Sequence, residues 1–267
     1  MAVDLGLRGR RVLVTAGSSG LGLAAARALA REGARVALAA RSEERLRSAE
    51  RALLAEGAPA VHVLVADIDD GAERQRLLEG TVAALGGLAV LVANSGNPPG
   101  GWTDRLGEAE WADAVGKLRA IVELDRFAAG VMAAAGGGAI VNVLSRTAVE
   151  PDPELMLSSV VRAGLLAWAK MLADRAGPDG VRVVSVLPGL TRTTAVESRL
   201  GSAALPPGVE PTPEARAEAE ARRIGIPLRR LGTTESFGRL VAYLASPACD
   251  YVSGSAVRFD GGGVRAP

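Results

Sequence analysis

The sequence predicts an α/β fold, a doubly wound parallel sheet of the Rossmann type with helices on both faces, forming one three-layer α/β/α domain over residues 1–267. Short apolar runs rich in β-branched residues alternate with longer helical stretches along the whole chain. The first apolar run leads into a glycine-rich turn that opens a helix, and no shift in composition marks a second domain. Strands that alternate with helices form parallel sheets buried on both faces.

The first unit, residues 11–22, reads RVLVTAGSSGLG. Residues 11–15 have the composition of a buried strand, and the helical pattern follows from about 20 to 32. Gly17, Gly20 and Gly22 let the backbone bend sharply and approach a ligand without interfering Cβ atoms. The unpaired N–H groups of the first helical turn then favour an anion, most often a pyrophosphate. The alternative is a flexible turn, which the strand–turn–helix context disfavours.

The same unit repeats along the chain. Further strands are predicted at 34–39, 61–66, 88–93, 139–144, 181–187 and 256–259. Further helices are predicted at 42–56, 70–85, 108–135, 154–176, 213–223 and 234–245, and the turn formers at 94–101 predict a loop. The segment 190–226 is interrupted by proline and glycine and is interpreted as a mobile substrate lid, with a passive surface excursion as the alternative.

Composition narrows the classes of function. Of the 267 residues 48% are hydrophobic and 23% charged, as in ordinary globular proteins, and a net charge of +1 does not favour nucleic acid or anionic membranes as partners. Cys249 is the only cysteine, which excludes intrachain disulfides and favours a reducing, cytoplasmic location. The first residues contain no long apolar segment, and no uncharged apolar run reaches about 18 residues.

Several motifs in order resemble the short-chain dehydrogenases/reductases over nearly the whole chain: Thr15 to Gly22 for TGxxxGxG, Ala93 to Gly96 for NNAG, Ser145 for the active-site serine, Pro188-Gly189, Tyr251 to Gly254, and Asp260 to Gly262. The resemblance implies a nicotinamide dinucleotide cofactor, a small carbonyl or alcohol substrate, and a homodimer or homotetramer. The expected cofactor-binding residues are Thr15, Gly17, Ser18, Ser19, Gly20, Leu21, Gly22, Arg41, Ser42, Asp67, Ile68, Asn94, Ser95, Gly96, Arg162, Pro188, Gly189 and Thr191.

The end of the second strand favours NADP(H) over NAD(H). An acidic residue there would bind the ribose 2′-hydroxyl of NAD and repel a 2′-phosphate, but the sequence is Ala-Ala-Arg-Ser. Arg41 can form paired hydrogen bonds to a phosphate; the alternative is a solvated surface charge. Asp67 matches a family position that contacts the adenine, and a helix-starting aspartate is the equally weighted alternative.

The catalytic pattern departs from the family. The family places a tyrosine thirteen positions after the active-site serine and a lysine four further on, where this chain has Ser158 and Arg162. An asparagine of the family's proton relay would fall at about Lys117 or Leu118 and is also missing. Arg162 keeps a positive charge for the cofactor, whereas a serine hydroxyl is far less acidic than a phenol. Losing a general acid typically costs about 10² to 10⁴ in rate.

Two hypotheses follow. The first is a short-chain-type oxidoreductase with altered proton delivery, using Ser145, Ser158 and Arg162, with Glu150, Asp152 or Glu154 as a conceivable replacement acid and solvated loop carboxylates as the alternative. The second is a catalytically silent dinucleotide-binding regulator or scaffold.

Three other residues are considered as site candidates. His62, the only histidine, is interpreted as structural, and no metal site is expected. Trp102 and Trp111 either line the pocket or anchor the core.

Overall fold

A computed structural model describes residues 4–201, 205 and 210–265. Its strands are β1 (Arg11–Thr15), β2 (Arg35–Ala40), β3 (Ala60–Val65), β4 (Val90–Ala93), β5 (Gly138–Val143), β6 (Val181–Pro188), β7 (Thr191–Arg192), β8 (Gly232–Thr233) and β9 (Ser255–Phe259). Its α-helices are α1 (Gly20–Arg31), α2 (Glu43–Ala55), α3 (Gly71–Leu85), α4 (Glu108–Ala134), α5 (Met156–Ala176), α6 (Thr194–Gly201), α7 (Pro213–Arg223) and α8 (Thr234–Ala245).

Seven strands form one sheet in the order β3-β2-β1-β4-β5-β6-β9, and every pairing in it is parallel. The order reverses between β1 and β4, so a crevice opens at the carboxyl ends of these neighbouring strands. The predicted doubly wound fold is confirmed.

The sheet separates two apolar cores, because alternate residues of each strand point to opposite faces. Val12 and Val14 of β1 pack in the core under α1, α2 and α8, whereas Leu13 packs in the core under α3, α4 and α5. Both clusters are built almost entirely from buried Ala, Val, Leu and Ile side chains. Three layers follow directly from this two-sided burial.

Most predicted elements agree with the structure to within two residues, and the predicted cap is present: the Ser42 hydroxyl accepts from the N–H of Arg45 at 3.3 Å. The sequence interpretation did not include α6 or the parallel pair of β7 and β8. Strands of two residues are too short to show a period, and the irregular composition of 190–226 concealed the helix. Residues 202–204 and 206–209 of the predicted lid lie outside the described residues.

One helical segment in the described part of the chain, residues 156–179, is long and apolar enough to cross a membrane by length and composition. Half of its most apolar window is buried in the protein. Its side chains Leu165, Ala169 and Leu172 lie in the core shared with α4 and the sheet. The apolar character of this segment is that of a helix packed against a buried sheet.

Candidate active site

The turn after β1 has a shape that side chains would obstruct. Ala16 has a positive φ of 46°, and Gly20 has a φ of 56°. A Cβ on Gly17 would lie 2.9 Å from the Val14 carbonyl oxygen, and one on Gly22 would lie 2.2 Å from the Ala16 carbonyl oxygen. The first and third glycines therefore permit the turn itself, since backbone fills the space that a side chain would need.

The start of α1 has the features of an anion site. Ser19, the N-cap residue, makes no side-chain cap hydrogen bond, so the cap leaves the N–H groups of the first turn to other partners. A Cβ on Gly20 would meet only the methyl group of Thr193, at 3.7 Å, which leaves open space above the turn. Ser18 and Leu21 are partly exposed beside it. This cradle fits the pyrophosphate of a dinucleotide.

The end of β4 is tied to the end of β1. The Thr15 hydroxyl donates to the Asn94 carbonyl oxygen at 2.6 Å and accepts from the Asn94 N–H at 2.9 Å. The Asn94 amide nitrogen would be 3.1 Å from a Cβ on Gly22, so its side chain lies against the glycine turn. Ser95 is buried and Gly96 is exposed. The structure therefore brings the predicted residues of β1 and β4 together at the switch point.

Arg41 and Asp67 lie at the ends of β2 and β3, on the far side of the turn. The Arg41 side chain is 78% exposed, and its Nη1 is 3.8 Å from Asp67 Oδ2. Ser42 caps α2, and Ile68 is buried beneath the same edge. An exposed guanidinium 3.8 Å from a carboxylate is loosely held, so it remains available to a second anion.

Residues after β6 complete this edge of the sheet. Pro188 ends β6, and the Gly189 N–H donates to the Phe259 carbonyl oxygen at 2.9 Å. The buried Thr191 hydroxyl donates to the Gly189 carbonyl oxygen at 3.2 Å, so it is used within its own turn. Thr193, which the sequence interpretation did not select, is the residue that faces Gly20. Its hydroxyl-rich context in TRTT was the signal in the sequence.

Three hydroxyl-bearing residues lie where the end of β5 meets α5. Ser145 caps a short 3₁₀ turn and accepts from the Thr147 N–H at 3.2 Å. The Thr147 and Ser158 hydroxyl oxygens are 3.2 Å apart, and both side chains are buried. Thr147 was not selected from the sequence, because only the tertiary structure brings the β5 end against α5. The cluster can hydrogen-bond a substrate oxygen through hydroxyl groups.

Arg162 lies one helical turn after Ser158 on α5 and is only 2% exposed. Its Nη2 donates to the Gly96 carbonyl oxygen at 3.3 Å, whereas its buried Nε has no partner. Burial lowers the pKa of the Arg162 guanidinium to about 10, so the group is charged at neutral pH. A buried cation with an unused donor fits hydroxyl oxygens of a ribose at the switch point.

The loop carboxylates are engaged elsewhere. Asp152 forms an ion pair with Arg146 at 2.7 Å, and Glu154 forms one with Arg105 at 3.2 Å. Asp152 also accepts from the Glu154 N–H at 3.1 Å. Glu150 is partly buried on the same loop. Both side chains are therefore directed at arginines, and within the described part of the chain no hydrogen bond or ion pair joins either of them to Ser145, Ser158 or Arg162.

The remaining candidates lie outside this cluster. Trp111 packs with Leu106, Met156, Leu157 and Val161, so it anchors a small apolar core, whereas Trp102 is exposed on the loop after β4. His62 lies within β3, and its buried Nε2 has no partner. Among the described residues no group of three or more His, Cys, Asp and Glu side chains is placed to hold a metal ion.

A glycine cradle at the switch point of a doubly wound sheet, with a serine after β5 and a buried cation on α5, defines a dinucleotide-dependent oxidoreductase. The family sequence pattern described as enoyl-(acyl carrier protein) reductase matches residues 15–263. A probable galactose dehydrogenase of Rhizobium meliloti is 31% identical over 96% of this chain and 95% of its own length. The chain belongs to the short-chain dehydrogenase/reductase family.

Solved structures agree with this assignment. The L-sorbose reductase of Gluconobacter frateurii, solved with NADPH and L-sorbose, has a TM-score of 0.92 at 28% identity and covers 99% of this chain and 100% of its own. A short-chain oxidoreductase from Pseudomonas aeruginosa PAO1 containing an atypical catalytic center, solved with NADPH bound, has a TM-score of 0.88 at 30% identity, covering 97% and 100%. Nicotinamide dinucleotides are the cofactors of this family.

Proposed function

We propose that this protein is an NADP(H)-dependent oxidoreductase of small carbonyl and alcohol substrates in which buried hydroxyl groups replace the family's tyrosine. The observation that carries the proposal is the Thr147–Ser158 hydroxyl pair, 3.2 Å apart, one helical turn from the buried Arg162. Ser158 and Arg162 occupy the positions at which the family pattern places tyrosine and lysine. When bound, the cofactor supplies the hydride, and the chain must supply orientation and a proton.

Each side chain has a distinct task in the proposed site. Ser145 orients the substrate carbonyl by donating a hydrogen bond to its oxygen. Arg162 donates to the ribose and provides positive charge where the oxygen becomes negative. The hydroxyl pair of Ser158 and Thr147 passes a proton from solvent to that oxygen, so the carbonyl oxygen gains the proton that completes the alcohol. An aliphatic hydroxyl is a weaker acid than a phenol, so we expect turnover about 10² to 10⁴ slower than with a tyrosine.

NADP(H) is proposed over NAD(H) because of Arg41. Its exposed guanidinium lies at the end of β2 with only a 3.8 Å contact to Asp67, and no carboxylate occupies the end of that strand. A 2′-phosphate accepts paired hydrogen bonds from arginine. The NADPH-bound relatives described above support this preference.

The segment 190–226 is proposed as the substrate lid. In its described part, Leu200, Ala217, Ala221 and Ile226 form a small apolar cluster with Leu231, which follows the segment. Arg192 forms ion pairs with Glu197 of α6, at 3.0 Å, and with Glu214 of α7, at 3.1 Å. These two pairs connect α6 to α7. The start of this unit faces the glycine turn through Thr193, so a lid here would close beside the proposed dinucleotide site.

A homodimer or homotetramer in a reducing cytoplasm remains our proposal for the working form. Helices α4 and α5 expose Val115, Val160 and Met171, which a second copy would remove from water. Cys249 is buried as a free thiol, as suits a reducing compartment. Light scattering of the purified protein measures the assembly, and a monomer at micromolar concentration would contradict it.

The first test is a fluorescence titration with NADPH and with NADH, followed by a screen of small aldehydes and ketones for oxidation of NADPH. We expect tighter binding of NADPH and slow, substrate-dependent turnover with a solvent deuterium isotope effect. Ser158→Ala should lower kcat and leave the Kd for NADPH unchanged. Ser185→Ala is the matched control, because Ser185 is a buried serine of β6 whose hydroxyl has no partner.

The second candidate is a catalytically silent dinucleotide-binding protein. It is favoured by one observation, the ion pairs that direct Asp152 and Glu154, two of the three loop acids, at arginines and not at the hydroxyl cluster. Turnover of NADPH by the unaltered protein separates the candidates, and a double variant, Ser158→Tyr with Arg162→Lys, tests whether the scaffold lacks only its acid. Reductase activity gained on generic ketones indicates a scaffold intact except for its acid, whereas inactivity with intact NADPH binding supports the silent protein.

A further inference from the structure

The turn between β3 and α3, residues 66–70, is held by two cationic side chains that the proposed reaction does not use. Lys117 of α4 donates from Nζ to Asp69 Oδ2 at 2.7 Å and to Asp113 Oδ1 at 2.8 Å. Arg74 of α3 donates to the Ile68 carbonyl oxygen and pairs with Glu123 of α4. Both cations therefore fasten this turn to α4.

The two cationic side chains are largely buried, whereas their acidic partners are partly exposed. The Lys117 side chain is 11% exposed and that of Arg74 is 4% exposed. Burial lowers the pKa of Lys117, but hydrogen bonds and charge from Asp113 and Asp69 outweigh it, so the net pKa is raised. A largely buried cation that two carboxylates hold at once is more constrained than a single pair of exposed side chains, which contributes little.

Further hydrogen bonds connect Asp69 to Asp67, the residue of this turn nearest to Arg41. The Asp69 N–H donates to Asp67 Oδ1 at 3.0 Å, and the Asp67 N–H donates to Glu73 Oε2 at 2.7 Å. Asp67 Oδ2 then lies 3.8 Å from Arg41 Nη1. A displacement of Asp69 would therefore move the Asp67 carboxylate, which lies between the turn and Arg41.

We propose that Lys117 and Arg74 are positioning residues for the adenine end of the dinucleotide: through Asp69 and the Ile68 carbonyl they fix the turn on which the adenine would rest. The inference rests on the proposed function, because it requires a dinucleotide in the crevice. The polar contacts of both cations are with protein groups, so neither needs to touch the cofactor. Both act through the 66–70 turn, so the loss of either side chain changes how well the turn is preorganised for the ligand.

The other lysine provides a matched control. Lys170 on α5 also pairs with an aspartate four residues away on its own helix, Asp174, but its side chain is 59% exposed and it has no partner in the 66–70 turn. Lys117→Met and Lys170→Met therefore remove the same charge from the same kind of helical pair. Only Lys117→Met removes the long-range bond to Asp69.

The test measures Kd values for NADPH, NADH and reduced nicotinamide mononucleotide, which has no adenosine. We expect Lys117→Met to weaken NADPH and NADH equally, by about tenfold, as is typical for coupled residues in one network. Binding of the mononucleotide and all Kd values of Lys170→Met should stay unchanged. Asp69→Asn should reproduce the loss, and the double variant with Lys117→Met should be no weaker than the worse single variant.

Several results would overturn the proposal. Unchanged NADPH binding in both Lys117→Met and Asp69→Asn would show that the turn needs no such fastening. Equal weakening of the mononucleotide, or a matching loss in Lys170→Met, would indicate a general loss of structure. If the unaltered protein binds the mononucleotide but Lys117→Met changes nothing, only this inference fails. If the unaltered protein binds none of the three ligands, the proposed function fails with it.

Discussion

Asp125 leads to a quantitative prediction about pH and stability. It lies on α4 and is fully buried, and its Oδ2 accepts from Asn142 Nδ2 at 2.9 Å and from Trp168 Nε1 at 3.0 Å. Burial raises the pKa of Asp125 to about 7, outweighing the two hydrogen bonds, which lower it. Its Oδ1 and the Asn142 Oδ1 are both buried without a partner. When Asp125 Oδ1 carries a proton, the carboxyl group can donate a hydrogen bond as well as accept one.

The sign of the effect follows from the two pKa values. The unfolded chain has the ordinary value of 3.8, so the folded protein holds this proton more tightly. The contribution to stability is therefore complete below about pH 4 and is lost as the pH rises through about 7. Each pH unit in this interval is worth about 1.4 kcal/mol, so about 4 kcal/mol is at stake over the whole interval.

Asp125→Asn tests this reasoning, because an amide has the shape of the carboxyl group and cannot ionise. Its carbonyl oxygen can accept from Asn142 and Trp168, and its NH₂ group can donate to the unpartnered Asn142 Oδ1. Between pH 5 and pH 8 we expect the unaltered protein to lose about 3 kcal/mol of stability relative to Asp125→Asn. Urea unfolding, followed by circular dichroism across this range, measures the difference.

A second variant separates titration from packing. Asp125→Leu leaves the Asn142 and Trp168 donors unpaired, so we expect it to be destabilised by about 1 to 3 kcal/mol per donor at every pH. Its stability should show the same pH dependence as that of Asp125→Asn. Parallel curves for the unaltered protein and Asp125→Asn would refute a proton bound at this site.

Two further predictions concern the cofactor cradle. Arg41→Ala should weaken NADPH about 10- to 100-fold in a fluorescence titration and leave NADH unchanged, because only NADPH carries the 2′-phosphate; equal losses would remove Arg41 as the selecting residue. Gly22→Ala should lower the free energy of unfolding by about 2 kcal/mol or more, since its Cβ would lie 2.2 Å from the Ala16 carbonyl oxygen. An unchanged urea midpoint for that variant would show that the turn relaxes around a methyl group.

Much of the fold was decided by local pattern. The apolar runs at 11–15 and 181–187 predicted β1 and β6 because strands buried on both faces are continuously apolar. The composition TAGSSGLG predicted the turn into α1, since glycine at these positions permits a backbone that other residues obstruct. The resemblance to the family pattern, carried along the chain from its serine, selected Ser145, Ser158 and Arg162 as candidates.

Only the tertiary structure decided which side chains meet. Thr147 and Ser158 come from different elements, and nothing in the local sequence of either predicts a 3.2 Å contact. Lys117 and Asp69 are likewise 48 positions apart. The sequence by itself determined the elements and their order, because period and turn chemistry act between near neighbours. The contacts of Asp125 and of Lys117 depend on how α4 and α5 pack on the sheet. That packing is determined by the complementary shapes of many side chains that are distant in sequence.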